Sequence, residues 1–179
     1  MIQINPTEIP SLRQNDRILG TSTMAIILME YGDYQCSGSG QAHLTIEKLH
    51  QELGDHFCFV FRHFPQVEIH PQSYKAAQTA EAAGAQGKFW EMHSMLFKNQ
   101  SALEDGNLIE YAANLELDIP RLLRELSECI HRDRIQQDID SGIEHGVNQT
   151  PTFFIGIRQE GTQNLEALLI QILQTITQE

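Results

Sequence analysis

Ala25-Ile-Ile-Leu-Met-Glu-Tyr31 runs into Gly32-Asp-Tyr-Gln-Cys36 and then Ser37-Gly-Ser-Gly40, and the fold of this chain turns on that stretch. The first seven residues form a short, apolar run closed by Gly32-Asp33, the pattern of a buried strand. Beyond the small residues after Cys36, apolar side chains at Ala42, Leu44, Ile46, Leu49 and Leu53 recur at helical spacing. Gly54-Asp55 stops that helix, with Gly54 where a chain commonly leaves a helix end. Phe57-Cys-Phe-Val-Phe61 is then a second strand, apolar and aromatic throughout, and so expected to be covered on both faces. Strand, helix and strand in this order predict a right-handed unit with two parallel strands.

Downstream the pattern changes. From Pro71 to Gly146 no strand is expected, and five helices are: Ser73–Ala83, Phe89–Phe97, Leu108–Leu115, one capped by Asp118 with Pro120 in its first turn, and Glu128–Glu144. Strand character returns at Thr152-Phe-Phe-Ile155, followed by a turn at Gln159-Glu-Gly161 and an amphipathic helix over Leu165–Ile176. Upstream, residues 1–23 are mixed and turn-rich, the pattern of a surface arm. The order predicts one α/β layer with helices packed over it.

A chain of 179 residues suits one compact domain, and with 41% hydrophobic residues it has enough apolar surface for a sizeable core. The net charge of −12 repels phosphates and anionic lipid, so neither nucleic acid nor membrane is an expected partner. The first fifteen residues lack the basic and apolar regions of a secretory signal, and the longest apolar run, Met24–Met29, is too short to span a bilayer. Three cysteines cannot all pair within one chain, which fits a reducing compartment. A cytoplasmic location is the expectation.

Cys36 falls where the first helix begins. The first amides of a helix lack intrahelical partners and the helix dipole is positive there, so both favour a thiolate. The competing reading is a buried structural cysteine, but Cys36 is flanked by Gln35 and Ser37 rather than by apolar residues. Cys58 lies inside an apolar strand and Cys129 shares a helical spacing with Leu122, Leu126 and Ile130, so both are read as core.

Tyr31-Gly-Asp-Tyr-Gln-Cys36, Phe61-Arg-His-Phe-Pro65, Ala80-Glu-Ala-Ala-Gly-Ala-Gln-Gly-Lys-Phe-Trp-Glu-Met-His93 and Gly146-Val-Asn-Gln-Thr-Pro-Thr-Phe-Phe154 together resemble the DsbA-like thiol–disulfide oxidoreductases. The resemblance runs from about Asp16 to the C-terminus. It implies a thioredoxin fold with an all-helical insertion between the second strand and a strand introduced by a cis proline. In that organisation residues 16–70 and 147–179 make the thioredoxin-fold domain, 71–146 the inserted helical subdomain, and 1–15 an N-terminal arm. It also implies that Cys36 is the attacking sulfur and that Pro151 has a cis peptide bond.

The family's active site reads Cys-x-x-Cys, whereas here it reads Cys36-Ser37-Gly38-Ser39. A dithiol enzyme uses its second sulfur to release the mixed disulfide made by the first. Ser39 can form no S–S bond, so an internal 36–39 disulfide cycle is excluded. Turnover then requires an outside thiol, with glutathione the abundant candidate as co-substrate and thiol or disulfide compounds as partners. The Ser39 hydroxyl is a candidate donor to the Cys36 thiolate, the alternative being a small polar filler. Ser37-Gly38 brings no cationic side chain, so a moderately activated sulfur is expected rather than that of a strong oxidant.

With Thr150-Pro151 facing Cys36, the exposed backbone at Thr150 would pair with an extended peptide or with glutathione, while Ser37 and Gly38 line the same groove. No bound cofactor and no metal is expected. His43 and His50 are two helical turns apart, roughly 10 Å, too far to share an ion. Two rivals stand beside the monothiol reading: a non-catalytic binding module using the groove beside Pro151, and an iron–sulfur carrier assisted by glutathione. A cysteine hydrolase would need His63 or His93 as base.

Overall fold

The apolar run from Ile26 to Gly32 lies at the centre of the sheet. The computed structural model describes residues 3–5, 10–20, 26–53, 57–157 and 174. In chain order its elements are β1 (Gln3–Asn5), β2 (Arg17–Leu19), β3 (Ile26–Gly32), α1 (Ser37–Leu53) and β4 (Phe57–His63). There follow α2 (Ser73–Gly84), α3 (Phe89–Lys98), α4 (Asp105–Asn114), α5 (Ile119–Ser127), α6 (Arg132–Glu144) and β5 (Thr152–Ile157). Among the described residues the sheet has five strands in the order β1-β5-β3-β4-β2. β3 runs parallel to β4 from Ile26–Phe57 to Gly32–His63, and antiparallel to β5 from Ile26–Ile157 to Tyr31–Thr152. This is a thioredoxin fold with a block of helices inserted between β4 and β5.

Every residue of β3 and β4 is buried, as strands covered on both faces must be. Successive side chains point to opposite faces of the sheet. Ile26 and Leu28 join Phe57, Phe59 and Phe61 in a core that also takes Ala42, Ile46 and Leu49 of α1 and apolar residues from the inserted helices. Ile27, Met29, Tyr31, Cys58 and Val60 pack on the other face with Val147 and Phe154.

Residues 1–23, read as a surface arm, contain both edge strands. Gln3–Asn5 pairs parallel with β5, and Arg17–Leu19 pairs antiparallel with β4. Each edge strand is three residues long, too short for the alternation that reveals a strand, and its hydrogen bonds are supplied by the neighbouring strand. The helix read as Glu128–Glu144 begins instead at Arg132. The turn at Gly54-Asp55, the turn at Gln159–Gly161 and the helix at Leu165–Ile176, apart from Gln174, lie outside the described residues.

Cys129 is corrected most sharply. Its spacing reads as core, yet it is exposed, in the turn after α5 with φ 52°. Ile130 N donates to Glu125 O at 3.0 Å and Cys129 N to Leu126 O at 3.2 Å, the Schellman pattern that closes a helix. Glycine usually holds the left-handed position of that motif. With cysteine there, the sequence carries no stop signal and the helix reads through. At the end of α6, Gly146 holds the same position with φ 77°, as expected.

Arg62 ties the N-terminal stretch to the sheet. Its side chain is fully buried and all five N–H groups are used. Nε donates to Asp16 Oδ1 (3.0 Å), Nη2 to Asp16 Oδ2 (2.9 Å) and Ser11 O (2.7 Å), and Nη1 to Tyr31 Oη (2.9 Å) and Ser141 Oγ (3.0 Å). Burial alone would raise the Asp16 carboxyl, but its bonds to Arg62 and Arg13 hold it below its ordinary value. Arg62→Met would leave the buried Asp16 carboxylate with Arg13 as its remaining partner, and about 3 kcal/mol of stability should be lost in a denaturant titration at pH 7.

Candidate functional site

Asp33 to Cys36 make a tight turn off the end of β3, with Cys36 N donating to Asp33 O at 3.1 Å. Gly40 N then donates to Cys36 O at 3.0 Å, so Cys36 caps α1, at the helix end whose first amides lack intrahelical partners. The sulfur is half-buried. Its Sγ donates to the carbonyl of Thr150 at 3.2 Å, and the Thr150–Pro151 peptide bond is cis. Gly38 lies flat against that proline: a Cβ there would come within 2.8 Å of Pro151 Cδ. Cys36, Gly38, Thr150 and Pro151 therefore meet at one spot, with Ser37 exposed at its edge.

Ser39 is fully buried, and its Oγ accepts a hydrogen bond from Asp33 N at 3.2 Å. The hydroxyl braces the turn that carries the nucleophile, and its bond runs to the Asp33 amide rather than to the sulfur.

Several residues of the site escaped the sequence reading. The buried Asp33 carboxylate accepts from Gln35 N (2.8 Å), Gln66 N (2.8 Å) and His70 Nδ1 (2.8 Å), which fastens the turn to the loop after β4. Gln66 in turn accepts from Thr150 Oγ1 at 3.0 Å. A ring of bonds thus closes from Cys36 through Thr150, Gln66 and Asp33 back to Cys36. Gln35 and Gln72 exchange two further bonds, at 3.1 and 2.9 Å. Most of these partners are distant in sequence, Gln66 and Thr150 by 84 positions, and polar loop residues leave no periodic trace.

Glu30 had a readable signal, as the one charge within the run Ile26–Tyr31. It is buried, its Oε1 has no hydrogen-bond partner among the described residues, and burial pushes its carboxyl up to about 8.

The histidines considered as hydrolase bases are engaged elsewhere. His63 Nε2 bonds Glu81 Oε1 at 2.9 Å, both groups buried. His93 Nδ1 bonds Tyr34 Oη at 3.0 Å inside a cluster with Phe61, Trp90 and Phe97, and burial holds its imidazole well below the ordinary histidine range. Neither is hydrogen-bonded to Cys36, so no cysteine–histidine pair is assembled among the described residues. No group of three His, Cys, Asp or Glu among them is placed to hold a metal ion, and no helix among them is long and apolar enough to cross a membrane.

A family model described as Thioredoxin matches residues 12–173. Among curated relatives, a protein named Na(+)/H(+) antiporter NhaA 1 from Salinispora arenicola is 37% identical over 161 residues, which cover 89% of this chain and 24% of that protein. A protein of the same name from Mycobacterium sp. (strain KMS) is 36% identical over 161 residues, 87% of this chain and 26% of that protein. The chain spans about a quarter of the length of these relatives. Among solved structures, a thioredoxin-like oxidoreductase from Silicibacter pomeroyi superposes with a TM-score of 0.74 at 22% identity, covering 90% of this chain and 94% of that one. Wolbachia pipientis alpha-DsbA1 gives 0.72 at 21%, covering 92% of each chain. Pseudomonas aeruginosa DsbA2 gives 0.69 at 23%, covering 95% and 98%.

Proposed function

Because this chain belongs to the thioredoxin family and has the DsbA-like form of its fold, we propose that it is a thiol–disulfide oxidoreductase that works through Cys36 alone. One observation carries the reading: a half-exposed sulfur at a helix start faces a cis Thr150–Pro151 bond, and serine stands three residues on.

The cycle balances with one sulfur. The Cys36 thiolate attacks the glutathione sulfur of a mixed disulfide, GS–SR. The S–S bond breaks, RS⁻ leaves and takes a proton from solvent, and Cys36–S–SG remains. A second glutathione thiolate attacks the glutathione sulfur of that adduct, releases GSSG and restores Cys36 S⁻. The sum is GS–SR plus one reduced glutathione giving RSH plus GSSG: the single glutathione consumed is oxidised as the substrate sulfur is reduced. In the resting site the Thr150 carbonyl accepts the Cys36 S–H. Once that sulfur is held in a disulfide the S–H is gone, and the carbonyl is free to accept an N–H from the bound glutathione or peptide. Gly38, which lies against Pro151, and the exposed Ser37 beside it would flank the bound glutathione or peptide.

Three cysteines, none of them in a disulfide, fit a reducing, cytoplasmic setting where glutathione is at hand. The test is site-resolved mass spectrometry after treatment with glutathione disulfide. One adduct is expected, on Cys36, reversed by reduced glutathione. Modification confined to Cys129, the exposed cysteine, would overturn the enzyme reading in favour of a binding module.

A further inference from the structure

The turn that carries Cys36 is gripped from the inserted helical block by the side chain of Gln100. That residue lies in the turn after α3, and its Nε2 donates both of its protons into the nucleophile turn, to Tyr34 O at 2.9 Å and to Cys36 O at 2.8 Å. The Gln100 turn is itself fixed: Asn99 Nδ2 donates to Met95 O at 2.8 Å, Ala102 N to Asn99 O at 2.9 Å, and Tyr111 Oη to Ala102 O at 2.8 Å. Gly40 leaves the space this grip occupies. A Cβ on Gly40 would overlap Gln100 Oε1 and come within 2.7 Å of its Cδ.

A peptide unit is planar and trans, so its C=O and N–H point in opposite directions. Holding the Cys36 carbonyl therefore also sets the plane of the Cys36–Ser37 peptide. That leaves the Ser37 N–H on the far side, among the unpartnered first-turn amides that favour a thiolate.

We infer that Gln100 is a positioning residue for Cys36, acting through the Tyr34 and Cys36 carbonyls, and that Gly40 is glycine because Gln100 needs its space. This deepens the monothiol reading and rests on it for the identity of the nucleophile. The inserted helices then do more than cover the sheet: they set the reactivity of the sulfur from outside the strand–helix turn that carries it.

The test is the pH profile of iodoacetamide labelling at Cys36, read site by site on the full chain. Alkylation reports on the sulfur whether or not the protein exchanges disulfides, so failure here and failure of the proposed function are distinguishable. Gln100→Met keeps the side chain's bulk and removes both donors. Its profile should move to higher pH by about half a unit, a roughly threefold smaller thiolate fraction at fixed pH. Gly40→Ala should give the same shift by expelling the amide. Its thermal midpoint should hold or rise, because alanine suits a helix better than glycine. In a Gln100→Ala background, Gly40→Ala should add no further shift. Profiles that superimpose on the starting protein, or shifts that add in the double variant, would overturn the inference.

Discussion

Ser39→Cys should turn a sulfur that depends on outside help into a self-resolving pair. The starting protein has three cysteines, none in a disulfide, and mild oxidation should cost it no protons. The variant should lose two hydrogens on oxidation and form a 36–39 bridge. Residue 36 caps α1 and residue 39 sits in its first turn, three positions on, the separation at which helix neighbours lie within disulfide reach. The room is already shaped for a small group: Ser39 is fully buried, with the Asp33 amide 3.2 Å from its Oγ, and a sulfur there still accepts that bond. The larger atom costs about 1 kcal/mol of packing. In return, attack on the mixed disulfide becomes intramolecular, and the turnover of a peptide disulfide with dithiothreitol as reductant should rise on the order of 100-fold. A variant that oxidises without losing mass, or that bridges without gaining rate, would mean that the sulfurs meet in the wrong geometry and that Cys36 is not poised for exchange.

How much of this site could be read in advance follows from the range of its contacts. β3, α1 and β4 were legible because burial on two faces leaves a continuous apolar run and burial on one leaves a helical stripe. The start of α5 was legible because Asp118 and Pro120 act within four residues of each other; Asp118 Oδ1 accepts from Arg121 N at 2.9 Å. Cys36 was legible as the polar-flanked residue between strand and helix. The hydrogen-bonded frame around it was not. Asp33 reaches Gln66 and His70, Gln66 reaches Thr150, and Gln100 reaches Cys36, each across a separation that only the folded topology closes. The edge strands and the turn at Cys129 failed for a related reason, since their partners or their backbone conformation, and not their own side chains, define them. Cys58, by contrast, lies where an apolar strand puts it, fully buried in β4.

Glu30→Gln should produce the largest change in stability, and the change should depend on pH. The Glu30 carboxyl is buried to 1% exposure and its Oε1 has no partner among the described residues. Burial raises it from an ordinary value of 4.5 to about 8. Below the unfolded value both states hold the proton, and the group adds no pH dependence. Between 4.5 and about 8 the unfolded chain releases the proton while the native chain keeps it. The native state then binds more protons, so stability falls with rising pH, at about 1.4 kcal/mol per unit. Above about 8 both states are ionised and the loss levels off, after a total on the order of 5 kcal/mol. Glutamine fills the same space and does not titrate. Urea titrations of both proteins across this range should coincide in acid and diverge steadily as the pH rises, with the variant the more stable at pH 8. Every other titrating group is common to the two proteins and cancels in the difference. Curves that stay parallel from acid to alkaline pH would mean that the carboxyl ionises in the native state as freely as in the unfolded one, with water or a cation reaching it beneath the nucleophile turn.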